Sequence, residues 1–214
     1  VKVDRQGPPV LPAIAGIPQG PERGGDDFVP KMASRLRELG LKLVRFDPFP
    51  SDDMVSRPSV VPASAGANVS VPVKIDWRYA DDMFEAIREA GAVPMVSVSP
   101  PAVLAETADA AGWRDFVRAV ASRLKSVLKQ EGLSWELRGA ENGGSIDDWL
   151  PRYDAFARAV LSIDPSARVG GPGTDASVDH SGAKLATHCA KAGTPLHFVS
   201  WRAFGSSPIE IARQ

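Results

Sequence analysis

A strand–helix–strand pattern between Leu133 and Gly173 constrains the fold of this chain more than any other feature. In its first part, Trp135 and Leu137 alternate with Glu136 and Arg138. This period of two is typical of a strand with one apolar face and one polar face. A glycine-rich loop, a helix-like segment and a short second strand follow. Parallel α/β folds place their chemistry at the carboxyl ends of strands, so the loop is a candidate functional segment.

The same alternation of strand and helix extends along the whole chain. Apolar runs rich in β-branched residues alternate with segments whose apolar residues recur at helical spacing. We predict strands at 13–17, 41–49, 93–99, 133–138, 167–169 and 195–204. We predict helices at 28–39, with Leu36 and Leu39 in its apolar stripe, and at 76–88, 113–129 and 181–192. Further helical segments start at 147 and 207, and a long loop with a small hairpin occupies 50–74.

Strict alternation implies a parallel sheet covered by helices, which leaves two architectures open. One is an open doubly wound sheet, and the other is a (β/α)8 barrel of the TIM type. The chain has 214 residues, which favours the open sheet, because a barrel typically needs about 250 residues. No low-complexity linker divides the sequence, so residues 1–214 are predicted to form a single domain.

Composition excludes several classes of function. The chain is 43% hydrophobic and 24% charged, with a formal net charge of −1, as expected of a soluble globular protein. Interspersed charges of both signs give no electrostatic footprint for nucleic acid, and no apolar run is long enough to span a membrane. Cys189 is the only cysteine, which excludes an intrachain disulfide and a cysteine-based metal site.

Four charged residues near the ends of two predicted strands are candidates for ligand binding. Arg45 and Asp47 lie on the second strand, and Glu136 and Arg138 share one face of the fourth. Charges inside a fold must be paired. The four residues therefore either bind a ligand or form a buried ion-pair cluster, and the sequence leaves both interpretations open.

Three tryptophans are candidates for platforms on which a ring of a ligand stacks, although aromatic residues are more often part of the core. They are Trp77, Trp149 and Trp201, of which Trp201 is the best candidate because it lies at the end of a strand.

No metal and no cofactor are predicted. His180, His188 and His197 lack metal-ligand spacing and have no carboxylate cluster nearby. The stretch 171–176 follows a predicted strand and loosely fits a dinucleotide-binding turn. The next strand lacks the acidic residue that such sites carry, so a nucleotide-dependent enzyme is the weakest of the functions considered.

Several segments resemble glycoside hydrolases of family 39, the β-xylosidase and α-iduronidase group of TIM-barrel enzymes. The sequence GLKLVRFDPF at 40–49 resembles the family pattern GxxxVRxxxxF, and WELRGAEN at 135–142 resembles FEVWNEPN. An Asp-Pro pair at 164–165 precedes VGGP at 169–172, as in the family, and HFVSWRAF at 197–204 resembles DFISTHxY. The resemblance favours the (β/α)8 barrel over the open sheet. It implies that about six of the eight barrel strands lie in this chain, and that missing C-terminal strands or a second chain complete the barrel.

The resemblance also implies a carbohydrate ligand and a set of site residues. Glu141 is the candidate for the acid/base, although a gapless match puts Ala140 at the family position. Arg202 stands where the family has a histidine, and the family nucleophile lies on a seventh strand that this sequence does not reach. The residues implied to bind the substrate are Arg45, Asp47, Glu136, Arg138, Asn142, Trp201 and Arg202.

Two functions follow from these observations. The first is a glycoside hydrolase-like barrel that acts on glycosides or polysaccharides, or descends from enzymes that do, with an inactive form included. The alternative is a non-catalytic carbohydrate-binding or scaffold protein with a degenerate active site. The resemblance favours a secreted or periplasmic location, although the first ten residues, VKVDRQGPPV, do not form a signal peptide.

Overall fold

The computed structural model describes residues 16–19, 28–50, 54–56, 74–100, 110–129, 131–138, 145–175 and 181–202. Its strands are β1 (Gly16–Gln19), β2 (Leu43–Phe49), β3 (Val55–Ser56), β4 (Lys74–Ile75), β5 (Val93–Val98), β6 (Ser134–Leu137), β7 (Arg168–Asp175) and β8 (Phe198–Arg202). Its helices are α1 (Phe28–Glu38), α2 (Arg78–Glu89), α3 (Ala110–Leu128), α4 (Ile146–Ile163) and α5 (Ser181–Ala192).

Six of the strands form one parallel sheet in the order β1-β2-β5-β6-β7-β8, while β3 and β4 pair antiparallel by themselves. Among the residues that the structure describes, one helix lies in each connection between consecutive strands of the large sheet. A doubly wound sheet contains a switch point where the strand order reverses, and the described strands have none. The order is that of a (β/α)8 barrel wall, which confirms the predicted fold class.

The side of the sheet that the helices cover is apolar. Every second strand residue faces this outer side. Six of these residues on β2, β5 and β6 are at most 2% exposed: Val44, Phe46, Val96, Val98, Trp135 and Leu137. The helices pack residues at spacings of three and four onto them, among them Met83, Phe84 and Ile87 of α2 and Val117, Val120 and Leu124 of α3. Each such side chain stabilises the fold by about 1.5–3 kcal/mol when fully buried, so this layer is the core.

Two details of the sequence interpretation are wrong. Leu39 was expected in the apolar stripe of α1, but the helix ends at Glu38 and Leu39 is 79% exposed. The strand predicted at 167–169 is longer than expected, because β7 continues to Asp175 and includes residues 171–175 of the stretch 171–176 that was considered as a nucleotide-binding turn. Its glycines allow neighbouring backbones to approach, since a Cβ on Gly171 would lie 2.7 Å from the carbonyl oxygen of Leu137.

Candidate functional site

The inner side of the sheet carries charged and polar side chains toward the carboxyl ends of β2, β5 and β6. In the register of the sheet, Ser97 of β5 is paired with Glu136 of β6. Arg45 lies on β2, Asp47 follows it by two residues and Arg138 follows Glu136 by two residues, so each pair shares one side of its strand. We call these residues the interior cluster: Arg45, Asp47, Ser97, Glu136 and Arg138.

Ion pairs join the four charged members of the interior cluster into one chain. Arg45 donates from Nε to Oε2 of Glu136 at 2.9 Å, and its Nη2 also contacts that oxygen. Nη1 of Arg45 lies 2.8 Å from Oδ2 of Asp47. Arg138 donates from Nη1 to Oδ1 of Asp47 at 2.7 Å. The ion-pair cluster, one of the two interpretations that the sequence left open, is therefore present, and it joins β2 to β6 across β5.

The two carboxylates of the interior cluster are buried, whereas the two guanidinium groups are partly exposed. Glu136 is 1% exposed. The side chain of Asp47 is 7% exposed, compared with 20% for Arg45 and 19% for Arg138. A residue advances about 3.3 Å along a parallel strand, so Asp47 and Arg138 lie one layer nearer the carboxyl end than Arg45 and Glu136. The cluster thus reaches from the sealed interior toward the barrel mouth.

Ser97 ties β5 to the strands on either side of it. Its hydroxyl oxygen is fully buried and lies 2.6 Å from Oε2 of Glu136 and 3.1 Å from Oδ1 of Asp47. A serine hydroxyl has one proton and donates it to one carboxylate at a time. Ser97 therefore stabilises the positions of both carboxylates.

The backbone of β7 closes the cluster from the other side. Gly173 has a φ of +67°, and a Cβ there would lie 3.1 Å from Nη2 of Arg45 and 3.2 Å from Oε1 of Glu136. Among the described residues, no group donates a hydrogen bond to this buried Oε1. Glycine suits the position because it accepts the left-handed conformation and leaves room for the ion pair.

The interior cluster orients side chains but does not form an acid–base pair. In retaining glycosidases two carboxyl groups lie about 5–5.5 Å apart and both reach the substrate. Asp47 and Glu136 are separated by a single serine hydroxyl, but each is paired with a guanidinium group. Since Glu136 is also 1% exposed, a substrate does not reach its carboxylate. The partly exposed side chains of the interior cluster are those of the two arginines.

The remaining predicted site residues are not part of the interior cluster. Glu141 and Asn142 lie outside the described residues, and so does the side chain of Arg202, whose backbone ends β8.

Trp201 lies on the helix side of β8. It shares a side with Val199, whose Cγ1 would lie 2.8 Å from a Cβ on Gly182 of α5. At 61% exposure, Trp201 is a surface residue next to the helix layer, and it does not face the interior cluster. The sequence placed Trp201 near the end of a strand but did not show on which side of the sheet it lies.

Trp149 and Trp77 pack with the core. Trp149 is 4% exposed and stacks on Tyr153 with ring centroids 5.4 Å apart. Trp77 packs against Phe49, and the guanidinium of Arg123 lies 5.7 Å from its ring centroid. Trp149 therefore has the more common role of buried aromatic residues, whereas Trp77 is only partly buried against the core.

Sequence reasoning did not select Ser97 or Gly173 for the site. Ser97 shows no pattern of its own, although aligning β5 with β6 would have placed it beside Glu136. The need for glycine at position 173 arises from a close approach between β7 and side chains of two other strands. The sequence contains no signal for such an approach.

The described residues contain no group of three or more His, Cys, Asp or Glu able to hold a metal ion.

A smaller polar contact joins α4 to α5, where Nε2 of His188 lies 3.0 Å from both carboxylate oxygens of Asp154. Thr194 donates to Oδ1 of Asp154 at 2.6 Å. Within the described part of the chain, no helix has both the length and the apolar character needed to cross a bilayer.

Comparisons with known proteins identify the family. The model described as Glycosyl hydrolases family 39 matches residues 26–212. A β-xylosidase of Geobacillus stearothermophilus is 29% identical over 103 residues, which cover 44% of this chain and 20% of that protein.

Solved structures share the fold. A GH39 β-xylosidase from Caulobacter crescentus superposes with a TM-score of 0.68 at 21% identity, covering 92% of this chain and 48% of that one. A glucosidase from Croceicoccus marinus gives a TM-score of 0.62 at 21% identity, covering 88% of this chain and 43% of that one. The chain therefore spans less than half the length of each of these relatives.

The parallel sheet in sequence order, with polar residues inside and helices outside, defines the class as a β/α barrel. Within that class, the chain belongs to family 39 of the glycosyl hydrolases.

Proposed function

We propose that this chain is part of a family 39 barrel that binds a glycoside over the carboxyl ends of β2, β5 and β6. The observation that carries the proposal is the interior cluster, which brings the partly exposed guanidinium groups of Arg45 and Arg138 to one region. β/α barrels bind their ligands at this end of the sheet. Guanidinium groups donate hydrogen bonds in fixed directions to oxygen atoms, and a glycoside presents many such oxygens.

We propose that the chain binds the glycoside but does not hydrolyse it by the usual retaining mechanism. The position that matches the family acid/base is Ala140, which has no proton to donate. The buried carboxylates of the interior cluster are engaged with arginines. We propose Glu141, Asn142 and Arg202 as further contacts to the glycoside, with Glu141 as the candidate acid. The name β-xylosidase, carried by two of the relatives, makes an aryl β-xyloside the first ligand to test.

Calorimetric titration with nitrophenyl β-xyloside and nitrophenyl β-glucoside tests the proposal. We expect saturable binding of at least one glycoside and none of free nitrophenol. Arg138→Gln should weaken binding about tenfold, which corresponds to loss of roughly one charged hydrogen bond. Arg123→Gln is the matched control, because Arg123 pairs with Asp81 at 2.6 Å between α2 and α3, outside the interior cluster. Absence of binding for every glycoside, or equal effects of the two substitutions, would contradict the proposal and favour a purely structural cluster.

A further inference from the structure

We propose that Asp47 is a positioning residue that holds the guanidinium of Arg138 in the orientation in which it meets a ligand. The inference rests on the proposed function, because the ligand is the glycoside proposed to bind at the barrel mouth. It assigns different roles to residues that the sequence grouped together: Arg138 contacts the glycoside, whereas Asp47 acts through Arg138.

Asp47 is the contact that the two arginines share. Its Oδ2 lies 2.8 Å from Nη1 of Arg45, and its Oδ1 accepts from Nη1 of Arg138 at 2.7 Å. The hydroxyl of Ser97 lies 3.1 Å from the same Oδ1. The carboxylate is therefore held from β2, β5 and β6 at once, and its side chain is only 7% exposed.

The support beneath Asp47 is rigid. Arg45 contacts Oε2 of Glu136 through both Nε and Nη2, and this pair packs against the backbone of β7 at Gly173. Arg138, by contrast, has a long side chain that loses much of its rotamer entropy when it is ordered. Ordering Arg138 through Asp47 before a ligand arrives reduces the entropy that binding would otherwise lose.

Charge balance gives Asp47 a second effect on Arg138. The four charged residues of the interior cluster comprise two cations and two anions, and both cations contact Asp47. Replacement of Asp47 by asparagine leaves two guanidinium groups around a neutral side chain. Because like charges at short range repel strongly in a partly buried site, the guanidinium group of Arg138 should then turn away from Arg45.

The test uses Asp47→Asn, Arg138→Gln and the double variant, with Asp81→Asn as the matched control. Asp81 accepts from Arg123 at 2.6 Å and is 30% exposed, so it forms an ion pair of the same chemistry on the outer side. The first measurement needs no ligand: the rate at which phenylglyoxal modifies Arg138, mapped by mass spectrometry. We expect this rate to rise several-fold in Asp47→Asn and to be unchanged in Asp81→Asn.

The second measurement is calorimetric binding of the nitrophenyl glycoside that the wild-type protein binds. We expect Asp47→Asn and Arg138→Gln each to weaken binding about tenfold, and the double variant to bind no more weakly than Arg138→Gln alone. This non-additivity is the signature of a residue that acts through another. Effects that multiply in the double variant would overturn the inference, since Asp47 would then act independently of Arg138.

The two measurements separate the two proposals. A wild-type protein that binds no glycoside overturns the proposed function, and the modification rate of Arg138 then decides alone whether Asp47 holds this side chain. An unchanged rate in folded Asp47→Asn overturns the inference whatever the ligand result. Should Asp47→Asn fail to fold, Asp47→Glu retains the charge but displaces the carboxylate by one methylene. We expect the same rise in the modification rate of Arg138 for Asp47→Glu, and an unchanged rate again overturns the inference.

Discussion

Glu136 is the buried charge on which the interior cluster depends. Replacement by leucine removes the carboxylate that contacts Arg45 and Ser97 and leaves a guanidinium without this partner. We expect Glu136→Leu to lower the free energy of unfolding by roughly 3–5 kcal/mol, as the loss of one partner of a buried ion pair does. Urea denaturation measures the change.

A matched control for this substitution is Glu85→Leu. Glu85 pairs with Arg88 at 2.9 Å, but both side chains are more than half exposed. Such surface pairs contribute about 0–1 kcal/mol. A loss below about 1 kcal/mol for Glu136→Leu, as at Glu85, would show that the Glu136 carboxylate is solvated rather than buried.

Gly173 tests how closely β7 approaches the ion pair. Gly173→Ala introduces a Cβ 3.1 Å from Arg45 and 3.2 Å from Glu136, at a φ of +67°. Gly193→Ala has nearly the same backbone strain, with a φ of +64°, but no atom lies within 4 Å of the added Cβ. We expect Gly193→Ala to destabilise by about 1–2 kcal/mol through backbone strain alone. Gly173→Ala should destabilise by about 1 kcal/mol more, through displaced side chains.

Thermal unfolding of both glycine variants measures this difference. Equal losses of stability would mean that Arg45 and Glu136 move aside without cost, and that Gly173 is required only for its φ.

At the scale of the elements, Asp164 joins the end of α4 to the turn before β6. Its Oδ2 accepts from the backbone N–H of Gly132 at 2.9 Å, and its Oδ1 accepts from the N–H and the hydroxyl of Ser166 at 3.1 and 2.6 Å. Burial by itself raises the pKa of Asp164, but these hydrogen bonds and the charge of Lys125 outweigh burial and lower its pKa below the ordinary value. The ionised form is therefore favoured by folding.

This shift predicts how the stability contribution of Asp164 depends on pH. A pKa that is lower in the folded state contributes stability above the unfolded pKa, which is about 4, and loses it as pH falls through the folded pKa. We expect Asp164→Asn to destabilise by about 1–3 kcal/mol near neutral pH, the range for hydrogen bonds to a charged group. The difference from wild type should shrink below about pH 4.

Urea denaturation of both proteins between acidic and neutral pH measures the Asp164 effect. A difference that stays constant across this range would contradict the assigned pKa shift, because the loss would then arise from geometry alone.

At the scale of the whole molecule, Cys189 reports on global unfolding. Its thiol is buried on α5, and burial together with the charge of Asp154 raises its pKa to about 11. Because the thiolate is the reactive form, we expect the native protein to react at least about 100-fold more slowly with a disulfide reagent at pH 8 than the protein in denaturant. Colour development follows the reaction, and one thiol per chain provides the endpoint. Rapid complete reaction of the native protein would show that α5 opens locally.

The absence of glycoside hydrolysis is a second prediction at the scale of the whole molecule. We expect no turnover of aryl β-xylosides or β-glucosides, because Ala140 stands at the family acid position and Arg202 stands in place of the family histidine. An arginine stays charged at any working pH, and loss of a general acid lowers a rate by about 10²–10⁴-fold. Release of nitrophenol measures turnover. Turnover that Glu141→Gln abolishes would contradict this expectation and identify Glu141 as the acid.

The sequence predicted those features that depend on local periodicity. Apolar residues at helical spacing identified α2 and α3, and the alternation of Trp135 and Glu136 separated the two faces of β6. The sequence offered the pairing of Arg45, Asp47, Glu136 and Arg138 as one of two interpretations, because residues two apart on a strand share one side of it. The structure shows this pairing, across β5. The resemblance to family 39 added the barrel, which length alone disfavoured.

Only the tertiary structure decided the features that depend on distance across strands. The insertion of Ser97 between two carboxylates follows from the register of β5 against its neighbours. The close approach of β7 to Arg45 at Gly173 is a contact between strands that are distant in the sequence. The side of the sheet on which Trp201 lies is likewise defined by the packing of α5 on β8. The physical reason is that a pattern along one strand records which residues avoid water, whereas contact geometry is set by strands that are far apart in the sequence.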